Sequence, residues 1–469
     1  MSLPKIPVAC VQAGAHNREN FDSVWPHLVS LVDEAGNRGA RLIVLPEATV
    51  PAYVLGMEPV PLEQIARAFA DLSALARRHA AVIVYGGAKI VGERTFNAAI
   101  CIGPDGRELG YAAKQFLWHF DRRWFAPGET LAPIETPLGT LGLLVCADGR
   151  IPTIASTLVD RGATMLVMPT AWVTSGRDPS VLENIQADLF ANVRARENGV
   201  PFVVANKCGV ERASVAYCGK SAIIDASGAF VARGSERDEE IVFGEVAPVV
   251  PAGRSTRALS ARGSLTANAR SAGDGGAARA RIAFARASGD GDIAGFAASA
   301  AHADCDLLIA SGASNAAAGD DGSVVLVSAD EANRIISRAG VRFAIVTDDT
   351  FLDPDGLVAA RMQGIDLFVW FTADRAGWAT RFARTRAAEL RAFVIVFDED
   401  DGRSFVVDPD ATVLAGTFAE FAMAAFVYDR ARSQATTVAP TTDVMAGLRV
   451  VETIRIGSSS SDGGTPRQN

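Results

Sequence analysis

Short apolar runs alternate with amphipathic stretches through the first half of this 469-residue chain. The runs IPVACVQAG and ARLIVLPEA predict buried strands, because short continuous apolar segments that end at turn residues are typical of strands covered on both faces. Between them, FDSVWPHLVSLVDEAGNRGA has apolar residues at helical spacing and ends at a glycine, which predicts a helix. Alternating strands and helices of this kind predict an α/β layered fold.

The same alternation continues to about residue 250. The stretch LEQIARAFADLSALARRHA predicts a second helix, and it leads into the strand AVIVYGGAKI. Two further strands, LGLLVCADG and ATMLVMPTAW, flank the helix PTIASTLVDRG, and the helix NIQADLFANVRARENG precedes the strand VPFVVANK. We therefore predict a first domain over residues 1–250.

The composition changes after residue 250. Residues 251–280 are rich in Gly, Ala, Ser and Arg and hold almost no large apolar side chain, which is typical of a linker. Residues 457–469, GSSSSDGGTPRQN, have the composition of a disordered tail. A second domain is thus expected over residues 281–456.

Segments of the second half resemble segments of the first half in the same order. GKSAIIDASGAFVA at 219–232 aligns with GRSFVVDPDATVLA at 402–415, and ARLIVLPEAT aligns with CDLLIASGAS. Repeated segments in a constant order indicate an internal duplication. We predict that residues 281–456 are a shortened, diverged copy of residues 1–250.

Charge and cysteine usage exclude several classes of function. The net charge is −9 and no basic stripe is visible, so a nucleic-acid partner is not expected. No apolar run approaches the roughly 20 residues of a membrane span, and the first residues lack the pattern of a signal peptide.

The six cysteines show no regular spacing, which favours reduced thiols in a cytoplasmic protein. The five histidines form no metal-binding motif, so a metal site is not expected.

Three residues that can do chemistry stand at predicted strand ends: Glu47, Lys114 and Cys146. Groups at the carboxyl ends of neighbouring strands converge in this fold class. A carboxylate can take the thiol proton, the thiolate can attack an electrophilic carbon, and the ammonium can stabilise an oxyanion. From these residues alone the alternative stays open that Cys146 is a buried structural thiol.

Three stretches resemble the signature segments of the carbon–nitrogen hydrolase, or nitrilase, superfamily. They are VLPEATVPAY, YAAKQFLWHFDRRWFAPG and LLVCADGRIP, in the order that the family has them, and the likeness extends over about residues 5–250. The resemblance implies an αββα sandwich, a catalytic triad of Glu47, Lys114 and Cys146, and an oxyanion contact from the backbone of Ala147. It also implies hydrolysis of an amide or N-carbamoyl compound through a cysteine thioester, without a cofactor. The alternatives are a nitrilase and a non-catalytic binding or assembly protein.

One position departs from the family pattern. Many members have a second glutamate after the lysine, and here the matching residue is Asp121, whose side chain is one methylene shorter. We expect Asp121 to support Lys114. Tyr53, His119 and Trp172 lie near the motifs and are candidates to line the substrate pocket, although aromatic side chains often only pack.

The second copy lacks the residues for this chemistry. Gly312 stands where Glu47 would be, and Thr347, Asp348 and Asp349 occupy the neighbourhood of the cysteine. We expect the copy to pack against the first domain as an intrachain pseudo-dimer, with further homo-oligomerisation open. The expected partner of the catalytic domain is a small amide, carbamoyl or nitrile compound.

Overall fold

The computed structural model describes residues 3–174, 180–251, 278–287, 290–312, 323–374, 377–400, 402–417 and 422–449. Its chain forms two compact units, of which the first includes the described residues up to 251 and the second begins with those from 278. Most of the predicted linker and the predicted tail lie outside the described residues, but a strand already begins at Arg279, within the predicted linker. The first unit also includes Ala439–Thr442 and residues 446–449, which the sequence-based boundaries place in the second domain.

The first unit contains two six-stranded mixed sheets. The strands of the first sheet are β1 (Ile6–Gln12), β2 (Leu42–Val44), β3 (Val82–Val91), β4 (Arg94–Ile102), β5 (Glu108–Ala113) and β14 (Glu240–Val246). They run in the order β14-β1-β2-β3-β4-β5. The three strands β1, β2 and β3 are parallel, and their neighbours are antiparallel.

The second sheet of this unit has the same mixed character. Its strands are β6 (Ile134–Thr136), β7 (Gly139–Leu143), β8 (Met165–Pro169), β9 (Phe202–Ala205), β12 (Ala222–Ile224) and β13 (Phe230–Arg233). They run in the order β13-β12-β9-β8-β7-β6, with β7, β8 and β9 parallel. The pair β10 (Cys208–Glu211) and β11 (Val215–Cys218) forms a separate antiparallel ribbon.

Helices cover the two sheets of the first unit. They are α1 (Phe21–Asn37), α2 (Leu62–His79), α3 (Pro152–Asp160) and α4 (Ala191–Asn198). Helix α1 buries Phe21, Trp25, Leu28 and Val32, which recur at helical spacing and share a core with α2 and the first sheet. Helices α3 and α4 contact the second sheet, and β1 to β3 contact β8 and β9, so the unit is an αββα sandwich. The predicted helix before β9 begins as a π-helical turn, Gln186–Phe190.

The second unit also has two sheets. Its strands are β15 (Arg279–Arg286), β16 (Leu307–Ser311), β17 (Val324–Val327), β18 (Ile335–Arg338), β19 (Val341–Thr347), β20 (Leu367–Thr372), β21 (Phe393–Asp398), β22 (Ser404–Val407), β23 (Val413–Thr417) and β24 (Met423–Asp429). The orders are β17-β16-β15-β24 and β18-β19-β20-β21-β22-β23. The second order repeats that of the β6 to β13 sheet strand for strand. The first order repeats that of the β1 to β14 sheet without counterparts of β4 and β5.

Helices of the second unit are α5 (Asp290–His302), α6 (Asp348–Phe351), α7 (Pro354–Met362), α8 (Ala379–Leu390) and α9 (Arg430–Gln434). A short ribbon of β25 (Thr437–Ala439) and β26 (Thr442–Asp443) follows them. Strand β19 leads into α6 and then α7, as β7 leads into the turn Cys146–Arg150 and then α3. Asp348 thus stands at the start of the turn that follows β19.

A buried arginine–glutamate pair recurs in both units. Arg194 Nη1 lies 2.6 Å from Glu197 Oε1, and Arg194 Nε donates to the carbonyl of Gly149 at 3.0 Å. In the second unit, Arg386 Nη1 lies 2.9 Å from Glu389 Oε2, and its Nε donates to the carbonyl of Phe351 at 3.1 Å. Each pair therefore fixes the turn that follows the corresponding strand, β7 or β19. Breaking one partner of such a buried pair typically costs about 3–5 kcal/mol.

No helix in the described part of the chain is both long and apolar enough to cross a membrane. Within the same residues, no group of three or more His, Cys, Asp and Glu side chains is arranged to hold a metal ion. All six cysteines are free thiols, and five of them are buried.

Candidate functional site

Glu47 lies three residues beyond β2, in a loop held between the two sheets of the first unit. Its backbone N–H donates to the carbonyl of Thr170, which follows β8, at 3.2 Å. The loop also lies directly against Gly86 of β3: a Cβ built on Gly86 would stand 2.3 Å from the Glu47 Cα. Only a glycine permits this approach of two backbone segments. The carboxylate itself is completely buried.

Lys114 follows β5 directly and brings two carboxylates together. Its Nζ lies 2.7 Å from Glu47 Oε1 and 2.7 Å from Asp121 Oδ2, and all three side chains are buried. Asn97 of β4 donates a second hydrogen bond to Glu47 Oε1, at 2.7 Å. Burial lowers the pKa of Lys114, but the charges of Asp121 and Glu47 outweigh it and raise the pKa well above its ordinary value. The ammonium form is therefore fixed in the site.

Cys146 is the first residue of the turn Cys146–Arg150 and has a left-handed backbone, with φ of 47°. A residue with a Cβ pays roughly 1–2 kcal/mol for this conformation. Burial raises the pKa of the Cys146 thiol far above its ordinary value; Glu47 adds to the increase and Lys114 opposes it. The thiol is thus protonated at rest and needs a base before it can act as a nucleophile.

Asp148 connects the cysteine turn to the segment after Lys114. Its Oδ1 accepts hydrogen bonds from the backbone N–H groups of Gln115 at 3.0 Å and Phe116 at 2.8 Å. Its Oδ2 accepts from the N–H of Val145 at 3.1 Å. Burial raises the pKa of Asp148 to about 7, against the lowering effect of these donors. One side chain therefore sets the distance between the segments that carry the thiol and the amine.

Asp121 reaches Lys114 although its side chain is a methylene shorter than the family's glutamate. The turn His119–Arg123 places it there, and Asp121 Oδ2 also accepts from the backbone N–H of Trp118 at 2.9 Å. Burial raises the pKa of Asp121, while the neighbouring Lys114 lowers it. Ala147, the expected backbone donor, is buried and directly follows Cys146.

The three aromatic residues selected from the sequence have different surroundings. Tyr53 is close to the site: burial raises its pKa, and the charges of Asp121 and Glu47 add to the increase. Trp172 is fully buried, and its backbone N–H donates to the side chain of Asn206 at 2.7 Å. Its indole Nε1 has no hydrogen-bond partner among the residues that the structure describes.

His119 is held by the C-terminal part of the first unit. Its backbone N–H donates to Thr442 Oγ1 at 2.7 Å, and its carbonyl accepts from Thr441 Oγ1 at 2.8 Å. Its own backbone is left-handed, with φ of 48°. Gly447 lies so close to Phe116 and Ile151 that a Cβ there would meet both side chains at 2.8 Å. Two segments of the first unit, Ala439–Thr442 and residues 446–449, thus support the loop that carries Asp121.

Sequence reasoning missed several residues of this region, in particular Asn97, Thr170, Lys207 and Tyr217. A signal existed for two of them. Asn97 is a polar residue inside the apolar strand TFNAAICI, and Lys207 comes soon after a strand end, as the selected triad residues do. Tyr217 donates to Glu211 at 2.7 Å, a contact on the β10–β11 ribbon that no motif marks.

The first unit is thus an αββα sandwich with a buried carboxylate, ammonium and thiol beside its strand ends. The family model described as Carbon-nitrogen hydrolase matches residues 7–251, more than half of the chain, and the chain therefore belongs to the carbon–nitrogen hydrolase family. The match coincides with the main segment of the first unit. The αββα architecture expected from the sequence is confirmed for this unit.

Curated relatives align with the same region. A probable nitrilase of Schizosaccharomyces pombe is 27% identical over 51% of this chain and 87% of its own length. A nitrilase of Pyrococcus abyssi is 28% identical over 51% of this chain and 89% of its own. An omega-amidase of Danio rerio is 28% identical over 46% of this chain and 80% of its own. The relatives thus include proteins named for nitriles and proteins named for amides.

Solved structures also resemble the chain. A carbon–nitrogen hydrolase from Helicobacter pylori G27 is 24% identical and covers 52% of this chain and 89% of its own, with a TM-score of 0.46. An amidase from Nesterenkonia sp. is 22% identical and covers 52% of this chain and 91% of its own, with a TM-score of 0.47.

Proposed function

We propose that Glu47, Lys114 and Cys146 hydrolyse an amide or N-carbamoyl compound through a thioester on Cys146. The observation that carries this proposal is that the two carboxylate oxygens of Glu47 have different surroundings. Its Oε1 accepts hydrogen bonds from Lys114 and Asn97, whereas its Oε2 is buried and has no hydrogen-bond partner in the described part of the chain. One oxygen fixes the carboxylate, and the other is left to accept the thiol proton.

In the first half of the reaction, Glu47 Oε2 takes the proton of Cys146, and the thiolate attacks the carbonyl carbon. The carbonyl oxygen becomes an oxyanion. Lys114 has three N–H donors, of which Glu47 and Asp121 occupy two, so the third serves the oxyanion together with the backbone N–H of Ala147. The C–N bond then breaks, and the amine or ammonia leaves with the proton from Glu47.

In the second half, Glu47 takes a proton from a water molecule, and the resulting hydroxide attacks the thioester carbon. The C–S bond breaks, the acid is released, and the proton returns to the sulfur. Asp121 balances the charge of Lys114, so that the ammonium stays in place when Glu47 is protonated. The sequence of steps needs no cofactor.

An amide is favoured over a nitrile by the residues after the cysteine. The pair Ala147–Asp148 resembles the amidase branches of the superfamily more than the nitrilases. Nitrilase activity is the second candidate, since the relatives named above include nitrilases. Tyr53, His119 and Trp172 remain our candidates for substrate contacts.

The proposal is tested by measuring ammonia release from a panel of amides, N-carbamoyl compounds and nitriles. We expect turnover of at least one amide or carbamoyl compound. Glu47→Gln keeps the size of the side chain but cannot take the thiol proton, so acylation should slow by about 10²–10⁴-fold. Rapid quench and peptide mass measurement should find the acyl group on Cys146.

The matched control is Cys208→Ser, a buried thiol outside the triad, which should retain acylation and turnover. An acyl group on Cys208, or turnover of nitriles alone by the wild-type protein, would contradict the proposal.

We further propose that the second unit is a shortened, degenerate copy of the first. The recurring strand orders and the recurring pairs Arg194–Glu197 and Arg386–Glu389 support this. Asp348 stands at the position of the nucleophile. The intrachain pseudo-dimer and the cytoplasmic location stay predictions. Sedimentation of the full chain would measure whether it is a monomer or assembles further.

A further inference from the structure

A second buried lysine lies at the same edge of the second sheet as the nucleophile. Strand β9 ends at Ala205, and Lys207 follows two residues later; parallel strands β7 and β8 end nearby and lead to Cys146 and Thr170. Lys207 is only 1% exposed. A lysine buried to this extent normally has acceptors for its N–H groups.

Lys207 Nζ has no hydrogen-bond partner among the described residues. Its nearest charged neighbour is Glu211, whose Oε2 is 3.8 Å away, beyond hydrogen-bond distance. The amine also lies 5.5 Å from the centre of the Tyr217 ring. Lys220 shows the ordinary arrangement: it is similarly buried, but its Nζ donates to the carbonyl of Leu182 and to Asp188, all within 3.0 Å.

Two aromatic rings connect Lys207 to the triad. Tyr217, beneath the Lys207 amine, lies 6.4 Å from Tyr53, centre to centre and edge to face. The charges of Asp121 and Glu47 in turn act on Tyr53. The charge of Glu47 also acts directly on Lys207 and opposes the lowering of its pKa by burial. The unpaired amine is thus part of the same buried region as the reacting groups.

The charges around Lys207 are already balanced. Glu211 is fixed by hydrogen bonds from the N–H of Val54 at 2.6 Å and from Tyr217 at 2.7 Å. His16, a neighbour of Lys207, brings no positive charge, because burial lowers its pKa to about 3. A further carboxylate would face Glu211 and Glu47 without a second cation. The missing acceptor therefore fits an uncharged oxygen.

We propose that Lys207 donates a hydrogen bond to an uncharged oxygen, a hydroxyl or carbonyl, in the acyl part of the substrate. This inference rests on the proposed function and names the substrate class: amides whose acyl chain carries a second, neutral oxygen. An alkyl amide would leave the buried amine unpaired, whereas the oxygen-bearing amide satisfies it.

The test compares three series of amides with acyl chains of three to six carbons: alkyl amides, ω-hydroxy amides, and monoamides of dicarboxylic acids. For each, kcat/KM is measured with the full-length protein. For at least one chain length, we expect kcat/KM for the hydroxy amide to exceed kcat/KM for the alkyl amide by about tenfold or more. Lys207→Met keeps the aliphatic stem and removes the donors, so this ratio should fall to about one.

Two further variants separate recognition from structure. Lys220→Met, the matched control, should lower the melting temperature but leave the hydroxy-to-alkyl ratio unchanged. Glu211→Gln removes the countercharge of Lys207. In this variant, kcat/KM for the carboxylate-bearing monoamide should rise relative to kcat/KM for the hydroxy amide.

The inference is overturned if Lys207→Met lowers kcat/KM equally for all three series, or if the wild-type protein prefers the carboxylate-bearing amide. It is also overturned if no hydroxy amide exceeds its alkyl counterpart. If the wild-type protein releases no ammonia from any amide or carbamoyl compound, the proposed function itself is wrong, and that result is distinct from an altered ratio.

Discussion

The close approach of Gly86 to the loop of Glu47 makes Gly86→Ala a sharp test of the site. The added methyl group would lie 2.3 Å from the Cα of Glu47, 2.6 Å from the carbonyl oxygen of Pro46 and 2.9 Å from the Glu47 nitrogen. All three atoms belong to the backbone, so no side-chain rotation can relieve the clash. The loop of Glu47 must move away from β3.

The size of the movement follows from the contact distances. Ordinary contacts of a Cβ begin at 3.4 Å, so the Glu47 Cα must retreat by about 1 Å from its 2.3 Å position. Glu47 Oε1 accepts from Lys114 and Asn97 at 2.7 Å each, and such a shift stretches both hydrogen bonds past their useful range. Misplacement of a catalytic group by 1 Å can cost about 10²-fold in rate. Overpacking of this kind also costs about 1–3 kcal/mol of stability.

The assay is kcat/KM on the best substrate of the panel, together with the melting temperature. Gly295→Ala is the matched control, because a Cβ on Gly295 of α5 meets nothing within 4 Å. That variant should keep full activity and gain a few tenths of a kcal/mol in stability. Wild-type kcat/KM in Gly86→Ala would refute the reasoning, since the base would then tolerate a displaced loop.

The remaining predictions concern the reacting groups and their support. Cys146→Ala should lose activity by several orders of magnitude with an unchanged melting temperature; residual turnover above about 1% in a contamination-free preparation would contradict the role of the thiol. Asp121→Asn should reduce kcat and destabilise the fold by about 3 kcal/mol, because it leaves buried Lys114 with one carboxylate fewer; wild-type kinetics would show that the position is only structural. Thr442→Val removes the acceptor for the His119 N–H and should lower kcat with little change in the far-ultraviolet circular dichroism spectrum. Thr442→Ser keeps the hydroxyl acceptor and should have a kcat close to that of the wild-type protein. The lowered pKa of His16 means that the unfolded chain binds a proton that the folded chain does not, so stability should fall as the pH drops below about 6.5, by about 2 kcal/mol between pH 7 and 5. In His16→Asn that part of the pH dependence should disappear from urea denaturation curves, and an unchanged slope would show that His16 is protonated in the fold.

Much of the architecture was predictable because burial and periodicity are local properties of a sequence. The strands β1 and β3 and the helices α1 and α2 lie where the apolar patterns place them. The rule that strand ends converge also led to Glu47 and Cys146, since both follow strands of the parallel centre of a sheet. The π-helical turn Gln186–Phe190 was not predictable, because its side-chain pattern over five residues does not differ from that of an α-helix.

The residues that complete the site depend on contacts between distant parts of the chain. Asn97 meets Glu47 across 50 positions, and Thr442 meets His119 across 323. No periodicity or spacing encodes such pairs, which arise only when the sheets are assembled. The position of Lys207 soon after a strand end can be read from the sequence. Its lack of a hydrogen-bond partner can be recognised only when the neighbouring residues in the fold are known.

Under the proposed duplication, the hairpin β4–β5 has a consequence for the second unit. In the first unit this hairpin holds Asn97 and leads directly into Lys114, whereas in the second unit only residues 328–334 join β17 to β18. If the second unit is the diverged copy that we propose, a single loss of that hairpin would remove the cation and one holder of the base together, and exchange of individual residues could not reverse the step. A cysteine placed at Asp348 would remain an inert thiol without the whole inserted segment.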